Sequence, residues 1–213
     1  MAKLYFRYGV MGSGKSLNCL AVRHNYELQG KRVLLIKPSV DQRDGDKVKS
    51  RSGFEYKADL LVNADTELEE KEFKELSCLL VDEAQFLSAR LVEQLRELTR
   101  KLNLPVIAYG LRTDFRGHLF EGSKRLLELA DSIEEVKTTC KFCNKKAVFN
   151  LRHDSQGFAI LDGPVVSLGG EEHYSPVCYE CYQEKITLAK YLQKREKHFF
   201  VYKDDGVKHF FNY

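Results

Sequence analysis

The chain has 213 residues, 43% of them hydrophobic and 31% charged. Folding at this length buries roughly 70% of the unfolded surface, so a main domain with a small appendage needs no disulfide framework. This composition excludes a disordered chain, a collagen and a membrane bundle. The 34 Lys and Arg against 31 Asp and Glu leave a net charge of +3. That excess is too small to imply nucleic-acid binding by itself.

The N-terminus, MAKLYFRYGVMGSGKS, has neither a long apolar core nor a small-residue cleavage site. It reads as neither signal peptide nor membrane anchor, and six cysteines without a secretion signal point to a reducing, cytoplasmic setting. The apolar run Leu4 to Tyr8 predicts a strand that breaks into the glycine-rich stretch Gly9 to Gly14. A helix is predicted from Ser16 to Gln29, stopped at Gly30, and a buried strand over Arg32 to Lys37. Asp41 to Gly53 is polar and charged and reads as a mobile loop. Leu60 to Val62 predicts a third strand, Ala64 to Leu76 an acidic surface helix, and Cys78 to Val81 a strand ending in Asp82 and Glu83. Ala89 to Leu102 carries a helical apolar stripe, Pro105 to Tyr109 predicts another strand, and Ser123 is placed to cap a short helix to Ala130. Apolar strands alternating with helices indicate a mostly parallel α/β sheet with helices on both faces, ending near Lys137. Beyond it lie short elements, with strands expected at Val148–Leu151 and Phe158–Leu161 and a helix from Gln183 to Lys197.

Gly9-Val10-Met11-Gly12-Ser13-Gly14-Lys15-Ser16 satisfies G-x-x-x-x-G-K-[ST] between a predicted strand and a predicted helix. Glycines let successive backbone N–H groups converge on phosphate, and the helix N-terminus adds its positive end. Lys15 would reach the β/γ-phosphates and Ser16 would join a Mg²⁺ shell. Asp82, at the C-terminal end of a buried strand, fits the acid that holds Mg²⁺. Glu83 is placed to be a general base or to position a water. Together these residues predict binding of a nucleoside triphosphate with Mg²⁺, without specifying the acceptor.

Cys140-x-x-Cys143 and Cys178-x-x-Cys181 form two knuckles able to complete a tetrahedral set of thiolates around a structural Zn²⁺. A redox reading would explain only one pair. Cys19 and Cys78, inside a predicted helix and strand, are read as core.

The order and spacing of several linked motifs resemble the type II thymidine kinases, which join a P-loop domain to a zinc-bearing lasso. They are the P-loop, Asp82-Glu83-Ala84-Gln85-Phe86, the Gly110-Leu111-x-x-Asp114-Phe115-Arg116 segment, both cysteine pairs and Gly169-Gly170-x-x-x-Tyr174. The resemblance spans about Lys3 to Lys190. It implies an α/β P-loop unit at 1–137, a zinc-ribbon lasso at 138–190 and a tail at 191–213. It implies transfer of the γ-phosphate of ATP to the 5′-hydroxyl of thymidine, with Glu83 as base and Arg43 assisting the charge. Gly9 to Ser16, Asp41 and Asp82 to Gln85 would hold the nucleotide. Met11, Phe86, Leu111, Phe115, Phe120 and Tyr174 would enclose thymidine, and the backbone of Val165, Val166, Ser167, Leu168 and Gly169 would read the base edge. A cytoplasmic homotetramer inhibited by dTTP follows from the same resemblance, with no nucleic acid or membrane as partner. Gly12 stands where many members have an aromatic, and Arg112 where an Asp often follows Gly-Leu; both positions flank the nucleoside pocket in the family.

The rival reading is a nucleic-acid-stimulated P-loop ATPase with a zinc ribbon. A helicase needs two RecA-like lobes, and the 137 residues before the cysteines supply one.

Overall fold

The computed structural model describes residues 1–165 and 173–201. In chain order the elements are β1 (Leu4–Tyr8), α1 (Lys15–Leu28), β2 (Val33–Pro38), β3 (Lys47–Lys49), β4 (Glu55–Lys57), β5 (Leu60–Val62), α2 (Glu70–Phe73) and β6 (Cys78–Val81). A 3₁₀ turn at Ala84–Phe86 leads to α3 (Ala89–Leu102), β7 (Val106–Gly110), α4 (Glu121–Leu129), β8 (Ser132–Glu135), β9 (Phe149–His153), β10 (His173–Val177) and α5 (Tyr179–Val201).

Among the described residues, six strands form one parallel sheet in the order β5-β2-β6-β7-β1-β8. Side chains alternate across it, as the two-residue period of a strand requires. From β6, Leu79 and Val81 enter the layer that holds Leu91, Leu95 and Leu98 of α3. Cys78 and Leu80 enter the opposite layer with Cys19 and Leu20 of α1. Both faces are therefore covered, and apolar strands are the result. Burial pushes the Cys78 thiol up to about 11, in keeping with a core role.

Local chemistry sets the element ends. Ser88 Oγ accepts the Leu91 N–H at 3.3 Å and caps α3, Arg100 and Lys101 occupy its last turn, and Asn103 leaves it at φ 51°. The end of α1 runs through Gln29 into Gly30 at φ 67°. Beneath α1, Tyr109 donates to Asn18 Oδ1 at 2.9 Å while Arg7 donates to the Tyr109 hydroxyl at 2.9 Å, so a buried phenol keeps its polar end satisfied.

Several expectations need correction. The stretch from Asp41 to Gly53 is not wholly a loop: β3 lies within it and pairs antiparallel with β4, and Val48 is buried against Leu20 and Leu35. Within Ala64–Leu76 only Glu70–Phe73 is helical. Asn63 and Thr66 bond each other's backbone and side chains ahead of it, offering the chain a turn instead of a helix start. Ser123 caps nothing; it is buried inside α4 and donates to the Leu111 carbonyl at 2.5 Å, while Phe120 holds the cap position. Ala159 makes only an isolated bridge to His153, and the strand that pairs with β9 is β10. The last helix begins at Tyr179 rather than Gln183. The edge strand β8 was not anticipated, because SIEE has no apolar run.

Phe6 is fully buried between β1 neighbours and α3. Phe6→Ala is expected to cost about 3–5 kcal/mol, the usual penalty for deleting a core aromatic. Urea denaturation checks it, and a loss below about 1 kcal/mol would contradict this packing.

Candidate active site

The parallel sheet brings the carboxyl ends of β1 and β6 to one edge, with β7 between them. From β1 the chain turns through Gly9 to Gly14 into α1. Gly9 has no room for a side chain, since a Cβ would lie 2.5 Å from the Val136 carbonyl oxygen of the neighbouring strand end. Gly14 turns at φ 89° and no side chain caps α1, so the first-turn N–H groups stay available to an anion. Lys15 is buried and donates to the Val10 carbonyl at 2.9 Å, its ammonium folded across the loop. Burial pulls its pKa down, and the carboxylates of Glu83 and Asp82 partly offset this. Ser13 Oγ is buried with no hydrogen-bond partner among the described residues. An uncapped helix start, a buried ammonium and an orphaned hydroxyl fit a phosphate group.

From β6 come two carboxylates with different surroundings. Asp82 is buried and accepts from Ser16 Oγ at 3.0 Å. Burial, then the adjacent Glu83 charge, pushes its carboxyl up to about 7. A hydroxyl and a carboxylate beside the P-loop make an oxygen pair suited to Mg²⁺. Glu83 leaves the strand in the left-handed region at φ 52°. Gln85 Nε2 donates to Glu83 Oε2 at 2.5 Å, and Gln85 Oε1 accepts the Leu111 N–H at 2.9 Å. The close packing of Gly110 against Gln85 leaves no space for a Cβ there. On the other side Arg43 pairs with Glu83 at 2.8 Å and with Asp41 at 2.7 Å. Partial burial opposes the Arg43 charge, but Glu83 and Asp41 more than compensate and hold it ionised. Burial would likewise raise Asp41; Arg43 and Lys37 outweigh it and keep this carboxyl below its ordinary range.

Lys15, Ser16, Asp41, Arg43, Asp82 and Glu83 line one cavity of about 350 Å³, together with Met11, Gly12, Gly14 and Leu111. Among the described residues, the other expected ones do not line this cavity. Phe86 and Phe120 meet edge to face with centroids 5.7 Å apart. Phe115 is buried, its ring 5.0 Å from the guanidinium carbons of both Arg116 and Arg152. Ala84 is buried in the main core. Tyr174 sits half-buried on β10, opposite Arg152. Val165 is exposed; Val166, Ser167, Leu168 and Gly169 lie outside the described residues. Arg112 lies behind the P-loop, donating to the Val148 carbonyl at 3.4 Å and lining a recess with Gly9, Val10 and Asn150. One functional contact had no sequence signal: the buried Asn150 of β9 accepts the Met11 N–H at 2.8 Å, tying the ribbon to the P-loop. Nothing in the spacing of 139 residues announces it.

The four cysteines converge. Their sulfurs all lie within 4.8 Å of one another, with Cys143 to Cys178 at 3.6 Å and Cys143 to Cys181 at 3.8 Å. A tetrahedral zinc with bonds of about 2.3 Å sets its sulfurs about 3.8 Å apart, so the cluster has the dimensions for that ion. Burial would raise the Cys140 thiol, but N–H groups of Cys178, Phe142 and Cys143 bring it down to about 6, a thiol inclined to ionise. Hydrogen bonding to Cys178, then burial, pushes Cys181 up to about 12, as expected where several sulfurs compete for charge. A dication would relieve that competition.

Comparison with known proteins then bears on identity. The family model for thymidine kinase matches residues 2–182. A thymidine kinase of Streptococcus gordonii is 46% identical over 190 residues, 85% of this chain and 96% of that one. One from Lactiplantibacillus plantarum is 46% identical over 195 residues, 89% of this chain and 100% of the relative. Among solved structures, the Pif1 helicase from Candida albicans aligns at 15% identity and TM-score 0.39 over 63% of this chain and 36% of that one, too remote to bear on function. With a P-loop at the sheet edge and a match that runs through the second cysteine pair, this chain belongs to the thymidine kinase family and is a phosphotransferase.

Proposed function

We propose that the cavity at the sheet edge transfers the γ-phosphoryl of ATP to the 5′-hydroxyl of thymidine, with Glu83 as the proton acceptor. The observation that carries this reading is the fixing of Glu83 from two sides, by Gln85 and Arg43, beside Lys15 and the Ser16–Asp82 pair. The P-loop from Gly9 to Ser16 holds the phosphates through its N–H groups and the Lys15 ammonium. Mg²⁺, held by Ser16 and Asp82, would neutralise phosphate charge when bound. Asp41 positions Arg43, which adds positive charge at the nucleotide side of Glu83. Glu83 orients the nucleophilic hydroxyl and takes its proton as the O–P bond forms, because phosphoryl transfer depends mainly on placement and electrostatics.

Thymidine would be enclosed by Met11, Leu111, Phe86, Phe115, Phe120 and Tyr174, with the segment from Val165 to Gly169 reading the base edge. Asn150, which accepts the Met11 N–H, and Tyr182, whose hydroxyl donates to the Phe115 carbonyl at 2.9 Å, support a coupling between the zinc-bearing ribbon and this pocket. We assign residues 1–137 to the nucleotide-binding unit, 138–190 to the zinc-bearing lasso and 191–213 to the tail. The family pattern extends the reading to a homotetramer in the cytoplasm, inhibited by dTTP. Among the described residues no helix is long and apolar enough to cross a membrane.

Glu83→Gln removes a proton acceptor with little change of volume. We expect kcat to fall about 10²- to 10⁴-fold with Mg-ATP affinity within threefold of wild type. Steady-state kinetics and nucleotide titration check this, and retention of more than a tenth of kcat would contradict the base assignment. Cys178→Ser is expected to lower zinc from one per chain and to weaken thymidine binding more than ATP binding. Elemental analysis with paired titrations reads both. Zinc retained in full, or equal losses of the two affinities, would contradict it.

A further inference from the structure

The β3–β4 hairpin sets one guanidinium, that of Arg51, against the P-loop. Apart from Lys49 on β3, the other cations lining the cavity are committed. Lys15 donates to Val10, Lys37 to the carbonyls of Gly45 and Lys47, Lys47 pairs with Glu55, and Arg43 bridges Asp41 and Glu83. Arg51 makes no hydrogen bond or ion pair with another described residue, yet it lines the same cavity as Lys15, Ser16, Asp82 and Glu83. A Cβ on Gly12 would lie 3.1 Å from Arg51 Nη1, and Gly12 turns at φ 76°. Glycine at position 12 thus serves both the loop conformation and the space that the guanidinium takes.

The approach is built by the hairpin. Val48 anchors β3 in the core beside Leu20 and Leu35. At the turn, Ser50 is buried, its N–H donates to the Phe54 carbonyl at 2.8 Å, and Gly53 N–H returns to the Ser50 carbonyl at 3.0 Å. Arg51 follows this fixed residue, and its guanidinium reaches the P-loop at Gly12. An exposed guanidinium without a carboxylate, beside a phosphate-binding loop, has phosphate oxygens as its natural acceptors.

We propose that Arg51 is a catalytic residue that contacts β/γ-phosphate oxygens of ATP and stabilises the charge that develops during transfer. This rests on the reading of the cavity as the ATP site of a thymidine kinase. In the step, the bond from the nucleoside O5′ to the γ-phosphorus forms and the bond from that phosphorus to the β–γ bridging oxygen breaks. The electron pair of the broken bond leaves on ADP, the hydroxyl proton goes to Glu83, and Arg51 neutralises charge without exchanging a proton. Arg43, held by two carboxylates, keeps Glu83 in place; Arg51 is the guanidinium free to meet the triphosphate.

The test compares the full-length wild type with Arg51→Ala, Arg51→Lys and, as a hairpin control, Lys57→Ala, whose exposed side chain pairs with half-buried Asp46. Initial rates give kcat and the KM values for Mg-ATP and thymidine, and thermal unfolding monitors the fold. Arg51→Ala should lose about 10²-fold in kcat, with the thymidine KM within threefold and the melting temperature within about two degrees. Millimolar guanidinium should restore part of the lost rate to Arg51→Ala and none to wild type. Arg51→Lys should recover no more than about tenfold, because an ammonium supplies charge without the planar fork. Lys57→Ala should match wild type. A kcat for Arg51→Ala within threefold of a thymidine-phosphorylating wild type would overturn the role of Arg51 alone. So would a raised ATP KM at intact kcat, or an equal loss in Lys57→Ala. A wild type that forms no thymidine monophosphate would instead overturn the underlying reading, and this proposal with it.

Discussion

The hydrogen bond from Ser16 to Asp82 is the contact on which the site depends. Its donor opens α1 after β1, and its acceptor ends β6, two strands away across β7. Only a parallel sheet with both faces covered brings those two chain ends to one edge, and only crossovers of helix length can connect it. The apolar alternation that sends Leu79 and Val81 to one layer and Cys78 and Leu80 to the other therefore does more than stabilise the fold. It fixes the depth at which Asp82 emerges beside the P-loop.

Adjacent carboxylates would ordinarily share one environment. Here the backbone separates them. Asp82 remains in the line of the strand and is buried, whereas Glu83 adopts φ 52°, a conformation that costs a non-glycine residue about 1–3 kcal/mol. Gln85 on one side and Arg43 on the other hold the strained residue, and Gly110 gives Gln85 the room to do so. Both carboxylates line the cavity, Asp82 buried against a hydroxyl and Glu83 clamped by Gln85 and Arg43. Asn150 adds a third constraint by satisfying the Met11 N–H from the ribbon, so the P-loop is braced from outside the main sheet as well.

Much of this was legible in the sequence, because it is carried by local rules. The P-loop, the strand ending at Asp82, the stripe on α3 and the two cysteine pairs all declare themselves through spacing. The errors have physical causes of their own. Side chains of Asn63 and Thr66 compete for the backbone and defer the helix to Glu70, and Ser123 spends its hydroxyl on Leu111 rather than on a cap. Strand β8 is polar because it is an edge, closed by Tyr5 to Tyr8 of β1 on one side only. The hairpin β3–β4 hid in a charged segment because one buried residue, Val48, is enough to anchor it. The partnerships of Asn150 with Met11 and of Arg51 with Gly12 were out of reach for another reason. They join residues far apart in the chain, and neither residue type signals such a contact by itself.

The most direct test of the account is phosphate transfer by the purified chain with Mg-ATP, offered thymidine, deoxycytidine or single-stranded DNA in parallel. The account predicts thymidine-dependent formation of the 5′-monophosphate, with one ADP released for each monophosphate formed and no response to DNA. ATP hydrolysis that rises with single-stranded DNA, without any nucleoside monophosphate, would contradict it.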